Sequence, residues 1–346
     1  MLIITIITCI LTSFLFTVLA KKINLSVVVG LIASGIILGS PLIKSSLLEP
    51  NTDIILQIGD WGFFTLMFLA GMEISWCLLY KERKEAAAVA FFAAIIPFLL
   101  GLFIFLALGF SLFTSLAVGI SMAITAEATK ARVLLELDKL NTQVGSLMMG
   151  AGIIDDILGL SLFAVLSYFF TGNVATKEFT NTIIAISAFF IGIIIHKFVG
   201  RERLIVSYIE KFLLLFLVPF FFISMGIHFN FQSLLLNPWL LIVIIGIAMA
   251  GKIIGSMFAK PFTGLSWQQL YLVGWGMNSR GAVELAVAFL AYQSGLISRH
   301  IYSSLIIMAL TTTIIFPFIL RRMIKRSSQI MGGSSDCWKG TTPSMR

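Results

Sequence analysis

Two adjacent aspartates, Asp155 and Asp156, stand in the middle of an otherwise apolar run, GAGIIDDILGLSLF. A charge at mid-bilayer depth costs at least ~2.5–3.5 kcal/mol on insertion scales, so each such residue needs a partner, a water-filled cavity or a shifted pKa. Neighbouring residues on a helix project about 100° apart, so these two carboxylates cannot share one proton face to face. That argues against the arrangement of an aspartic protease, whose two acids come from separate segments and converge on one water. It suits a division of labour, with one carboxylate facing a hydrated cavity and the other a neighbouring helix. In such a cavity a proton and a small cation compete for the same oxygen atoms. The alternative is a pair that caps or bridges helices without further chemistry.

Lys252 lies in the middle of IAMAGKIIGSMF, too deep to snorkel to either surface. Ala248, Ala250, Gly251 and Gly255 around it allow a neighbouring helix to approach closely. Its ammonium needs an anion, and by depth the nearest are Asp155 and Asp156. Such a pair either opens when a cation binds or serves as a permanent structural bridge. Two further polar patches interrupt apolar stretches: Thr125-Ala126-Glu127-Ala128-Thr129-Lys130 and Gly276-Met277-Asn278-Ser279-Arg280-Gly281. Thr125, Glu127 and Thr129 offer the oxygen ligands that a small hard cation requires. Threonines in a helix also commonly bond back to its own backbone, which weakens the case for Thr129. Glu127 could pair with Arg280 across the two patches. Arg280 and Glu284 are spaced i,i+4 and could instead pair along one face, a structural role and the favoured one. Asp60 and Glu73 fall near the two ends of their span, at the interface. His228, near a helix end, is of the type that titrates near neutral pH.

The elements that position these groups are membrane helices. Only 12% of residues are charged against 59% apolar, and mean hydropathy is +1.03; a soluble domain carries roughly twice that charge fraction. A helix needs about 20 apolar residues to cross ~30 Å of hydrocarbon. About eleven segments qualify, near 2–20, 26–43, 54–79, 85–109, 111–136, 143–170, 180–199, 208–228, 238–260, 267–294 and 301–320. The net charge of +8 comes from short basic clusters between them rather than from a nucleic-acid-binding face. Lys21 and Lys22; Lys81, Arg83 and Lys84; Arg132 and Lys139; Lys197, Arg201 and Arg203; and Lys260 occupy the odd-numbered connections. The even-numbered ones carry only Lys44, Lys177 and Arg299. By the positive-inside rule the N-terminus is outside and the C-terminus cytoplasmic. Cys9, Cys77 and Cys337 have neither disulfide-framework nor metal-ligand spacing. The first apolar segment has no basic n-region and reads as a membrane helix rather than a cleaved signal.

Interrupted helices at matching places in two halves point to a transport site, because unwound backbone there presents carbonyls and helix ends to an ion. The matching triplets are 85–109, 111–136, 143–170 and 238–260, 267–294, 301–320. Each is a helix, a broken helix and a helix, and the second begins on the opposite side of the membrane, as an inverted repeat requires.

In order along almost the whole chain come VVVGLIASGIILGSPLI (27–43), LMFLAGMEI (66–74), ITAEATKARVLLELDKLNTQVGSLMMGAGIIDDILGL (124–160), VPFFFISMGIHF (218–229), AGKIIG (250–255) and GMNSRGAVELAVA (276–288). Together they resemble the monovalent cation:proton antiporter superfamily, of the bacterial sodium/hydrogen exchanger (Na+/H+ antiporter) type. The resemblance implies an all-α polytopic membrane protein of about eleven transmembrane helices, with inverted repeats and two broken, crossing helices. It implies a core domain that carries the ion across against a dimerising scaffold. Residues 1–80 and 176–235 would form the scaffold and linker, 81–175 and 236–322 the two core repeats, and 323–346 a disordered cytoplasmic tail. Position by position, the resemblance puts the ion- and proton-binding aspartate at Asp156, its partner at Asp155, the membrane lysine at Lys252 and a site threonine at Thr125. It implies Na+ (or Li+) exchanged for H+ by alternating access, electrogenically, since Asp stands at 155 where electroneutral or K+-linked members carry Asn or Gln.

Two departures stand out. Glu127 occupies a place where many relatives have a small or hydroxyl residue. The stretch near 200–210 runs directly into the lysine-bearing half, where the family has two further scaffold helices. The partners expected are the transported Na+ (or Li+, K+) and H+ and the lipid bilayer of the inner or plasma membrane, with a homodimer left open. No cofactor, structural metal, nucleic acid or enzymatic activity is expected. The alternatives are K+/H+ exchange and a shortened, inactive or regulatory paralogue; a membrane enzyme such as an intramembrane protease is disfavoured because the two aspartates are adjacent and the sequence offers no Ser/His pair or metal-ligand cluster at membrane depth.

Overall fold

The computed structural model of the chain describes residues 2–23, 25–72, 83–125, 127–171, 177–199, 204–232, 237–326 and 328–332. Glu73, Cys77, Lys81, Arg201, Arg203, Cys337 and the tail beyond 332 lie outside them. The described residues are helical almost throughout. The helices are α1 (Leu2–Lys22), α2 (Val27–Leu38), α3 (Thr52–Met72), α4 (Arg83–Ala107), α5 (Leu112–Ala123), α6 (Glu127–Glu136) and α7 (Gln143–Thr171). After these come α8 (Lys177–Val199), α9 (Leu204–Phe216), α10 (Val218–His228), α11 (Pro238–Phe258), α12 (Trp267–Gly276), α13 (Ala282–Gln293) and α14 (Arg299–Arg326).

Seven of the expected segments hold a helix or helical run long and apolar enough to cross a membrane. The other four carry the shorter apolar helices Val27–Leu38, Leu112–Ala123, Thr180–His196 and Ala282–Gln293. Two of these four are halves of the broken helices. Segment 111–136 is α5, an interruption that includes 124 and 125, and α6; segment 267–294 is α12, an interruption at 277–281, and α13. A third break, within 208–228, was not anticipated: α9 stops at Phe216 and α10 restarts at Val218, with Pro219 in its first turn. Proline supplies no backbone N–H and is tolerated at a helix start, so the restart falls where the ring fits.

The chain clusters into two compact units, one of Met1–Glu73 with Thr180–Leu236 and the other of Ile74–Phe179 with Asn237–Arg346. In the first, α10 lies against α2 and α3 at glycine-mediated closeness. A Cβ at Gly35 would fall on the Phe222 backbone, one at Gly226 on the Gly35 carbonyl, and one at Gly62 on the Leu217 carbonyl. Small residues at crossings let backbones approach, which is how membrane helices associate without a hydrophobic driving force between them. Outward faces remain apolar: Ile3, Leu11 and Phe14 on α1, and Tyr208 and Phe212 on α9, are all half exposed or more. Such faces belong against lipid. Asp60, expected at a span end, instead lies two turns inside α3, because that helix begins at Thr52 and its described part ends at Met72.

In the second unit, α4 packs against α5, α7 and α11, and α13 against α5 and α14. A Cβ at Gly251 would meet Pro97, and one at Gly255 the Phe92 carbonyl, so the glycines flanking Lys252 bring α11 tight onto α4. Of the tail expected to be disordered, residues 323–326 continue α14 and residues 328–331 form a helical turn. Its Ile330 carbonyl accepts from Gln269 Nε2 at 3.0 Å, and Met331 is buried.

Candidate functional site

Both interruptions and the aspartate helix belong to the second unit. At the first, Ile124 turns to extended backbone (φ −74°, ψ 148°) and ends α5. The last carbonyls of a helix lack intrahelical partners and carry its negative dipole end. Here cationic side chains from the other repeat take them. Lys252 Nζ donates to the Ala123 carbonyl, and Arg280 Nη1 donates to the Ile124 carbonyl at 2.5 Å.

Lys252 is fully buried in the C-terminal half of α11. An ammonium has three N–H donors, and three acceptors surround this one: the Ala123 carbonyl, Thr125 Oγ1 at 3.0 Å and Asp155 Oδ2 at 2.6 Å. The Thr125 hydroxyl in turn donates to Asp155 Oδ2. Asp155, 1% exposed, is thus held by a lysine from α11 and a threonine from the first interruption.

Asp156 is different. It is buried at 6% exposure, and where Asp155 leaves only Oδ1 unpartnered, Asp156 has no oxygen bonded to a described residue. Buried polar atoms are nearly always bonded, so an orphan carboxylate oxygen in a polar cluster is suited to a ligand. The charges acting on it are Glu127 and Asp155, both negative, and Lys130 and Lys252, both positive.

The second interruption is held by side-chain bonds rather than by glycine strain, since Gly281 has ordinary extended backbone. Asn278 Nδ2 donates to the Gly274 carbonyl at 3.0 Å and the Met249 carbonyl at 3.3 Å. Thr313 of α14 donates to the Arg280 carbonyl at 2.8 Å. Arg280 reaches Glu284 Oε1 at 3.4 Å, the i,i+4 pairing rather than the one with Glu127. Glu127, the first residue of α6, pairs instead with Lys130 at 2.9 Å. Thr129 is buried on the same helix.

Lys130 was missed at sequence level. It is 0% exposed, donates to the Met148 carbonyl of α7 at 2.7 Å and touches Met277 Sδ of the second interruption at 3.7 Å. A lysine near a helix end reads as one that reaches for water. The signal that it does not is Gly152, whose bare Cα leaves the space that the Glu127 carboxylate and Lys130 ammonium fill.

Two interrupted helices that meet through the Arg280–Ile124 bond, an aspartate pair and a lysine bridging to one of them form the arrangement expected of cation:proton exchange. The family model for "Sodium/hydrogen exchanger, transmembrane" matches residues 10–200 and 183–326. The chain belongs to the sodium/hydrogen exchanger family. The exchanger is 25% identical to the Na(+)/H(+) antiporter of Enterococcus hirae over 89% of this chain and 94% of that protein. It is also 25% identical to the Na(+)/H(+)-K(+) antiporter GerN of Bacillus cereus, over 89% and 92% respectively. Its fold resembles that of the sodium proton antiporter MjNhaP1 from Methanocaldococcus jannaschii, with a TM-score of 0.64 and 15% identity, covering 96% of this chain and 100% of that one. The exchanger is therefore a membrane-embedded cation/proton antiporter, a transporter rather than an enzyme.

Proposed function

We propose that the exchanger couples proton entry to Na+ (or Li+) extrusion, with Asp156 as the group for which cation and proton compete and Asp155–Lys252 as the coupled pair. The observation that carries this reading is the contrast between the two aspartates: Oδ1 of each is unpartnered, but Asp155 Oδ2 is held by Lys252 and Thr125, whereas no described residue bonds to either oxygen of Asp156. Oxygen from a carboxylate, with hydroxyls and carbonyls nearby, is what a small hard cation takes. In this reading the exchange is electrogenic, Thr125 belongs to the site, and Glu127, Thr129, Arg280 and Glu284 form a polar network around it. The N-terminus lies outside, the C-terminus is cytoplasmic, and 1–80 with 176–235 serve as scaffold for core repeats 81–175 and 236–322.

The test is Na+-dependent dissipation of a pH gradient in everted vesicles. Asp156→Asn is expected to abolish it, and undiminished exchange would remove Asp156 from the site. An imposed membrane potential is expected to change the rate; a rate blind to voltage supports electroneutral exchange instead. K+/H+ exchange is the second reading, favoured by the similarity to an antiporter named for both Na+ and K+. Parallel Na+, Li+ and K+ assays separate the two. Intact, well-folded protein with no exchange of any of these ions would favour an inactive paralogue.

A further inference from the structure

Asp156 lies between two ion pairs, of which the mechanism above uses only Asp155–Lys252. The other is Glu127–Lys130. Both of its members are buried, the carboxylate at 8% exposure and the ammonium at 0%, and they meet at 2.9 Å. Lys130 is tied to α7 through the Met148 carbonyl. The Glu127 carboxylate rests over Gly152, so closely that a Cβ there would coincide with it. Gly152 is four residues before Asp156 on the same helix, and residues i and i+4 are neighbours on one helix face, about 5–6 Å apart at Cβ. Glu127, like Asp155, accordingly adds negative charge beside Asp156.

The count of charges then matters. Asp155, Asp156 and Glu127 oppose Lys252 and Lys130, while Arg280 and Glu284 cancel. With all of them ionised the cluster carries a single net negative charge, located at Asp156. One monovalent cation neutralises it; a divalent ion leaves an excess positive charge in a low-dielectric setting, where charges interact strongly. Removing Glu127 but not Lys130 leaves the cluster neutral before any cation arrives.

We propose that the Glu127–Lys130 pair is a specificity-determining element that sets the charge seen by a cation at Asp156, and so fixes cation affinity and preference for monovalent ions. The proposal rests on Asp156 being the cation site. A merely structural ion pair makes a different prediction: either single neutralisation harms the protein in the same direction, because each leaves an unpaired buried charge. A field-setting pair gives opposite signs.

The experiment measures the apparent KM for Na+ in proteoliposomes at one fixed pH, together with Na+-induced thermal stabilisation of purified protein, for native protein, E127Q, E127D, K130M, E127Q/K130M and D156N. The expected results are a KM higher by on the order of tenfold or more in E127Q, near native in E127D, lower in K130M and restored towards native in the double variant. Shifts of the same sign in E127Q and K130M, or unchanged KM in both, overturn the proposal. If K130M does not accumulate in membranes, E127Q and E127D decide: equal KM values overturn it, and a rise confined to E127Q supports it. D156N separates the two levels of the argument. Exchange surviving in D156N removes the site reading and this inference with it, whereas exchange lost in D156N with native KM in E127Q removes this inference alone.

Discussion

Lys252 Nζ lies 2.6 Å from Asp155 Oδ2, and both groups are fully enclosed by protein. The contact joins the C-terminal half of α11 to the middle of α7, 97 residues apart in sequence. Removing one partner of a buried pair leaves the other charge uncompensated, at a cost of about 3–5 kcal/mol. Asp155→Asn and Lys252→Met are each expected to lower the melting temperature of the detergent-solubilised protein sharply. The double variant is expected to recover a large part of the loss. Additive losses in the cycle would show that the pair contributes no coupling.

Asp156→Asn is expected to leave stability unchanged or raise it, in contrast to Asp155→Asn. Oδ1 of Asp156 accepts no hydrogen bond that the substitution would break, and an amide removes a buried charge. Melting curves of the two variants side by side check this. A fall in D156N as large as in D155N would contradict the division of roles between the two acids.

Gly152→Ala adds a methyl where the Glu127 carboxylate and Lys130 ammonium lie. Overpacking of this kind costs about 1–3 kcal/mol, and here it also displaces the pair that faces Asp156. Loss of both stability and exchange is the expected outcome. Gly246→Ala, in the lipid-facing part of α11 with open space around the new Cβ, is the matched control and is expected to be neutral or stabilising by up to about 1 kcal/mol. Native exchange rates in G152A would show that the space over Gly152 is not needed.

Arg280→Gln is expected to be among the most damaging substitutions outside the aspartate helix. It leaves Glu284, at 1% exposure, as a buried carboxylate without its counter-charge, and removes the donor to the Ile124 carbonyl. The expected loss is about 3 kcal/mol or more. Arg280→Lys, which keeps the charge but lacks the forked guanidinium, is expected to recover part of it. Membrane accumulation and melting temperature of the two variants give the ranking.

The fold was legible in the sequence to the extent that polarity interrupts hydropathy. TAEATK and GMNSRG mark both broken helices because no continuous lipid-facing helix accommodates such patches. Lys252 announced a buried anion by its depth alone. What was not legible depended on neighbours distant in sequence. The burial of Lys130 is set by Gly152, on another helix, and by the Met148 carbonyl. The pairing of Glu127 with Lys130 rather than Arg280 follows from that pocket, and no spacing rule distinguishes the two. The α9–α10 break was signalled by Pro219 but hidden by unbroken hydropathy on either side.

The first interruption has a consequence for biosynthesis. The Ala123 and Ile124 carbonyls that close α5 are satisfied by Lys252 and Arg280, which follow 129 and 156 residues later in the chain. At a synthesis rate of roughly 5–20 residues per second, α5 waits on the order of ten seconds or more for its cap. Until then its end can be satisfied only by water or by the insertion machinery, because lipid offers no donor. A ribosome-bound chain stopped before α11 is expected to keep residues 124 and 125 accessible to a water-soluble thiol reagent at an introduced cysteine, and a chain extended past Arg280 is expected to protect them. The first repeat is thus completed by the second, and folding of this half of the molecule is committed only late in translation.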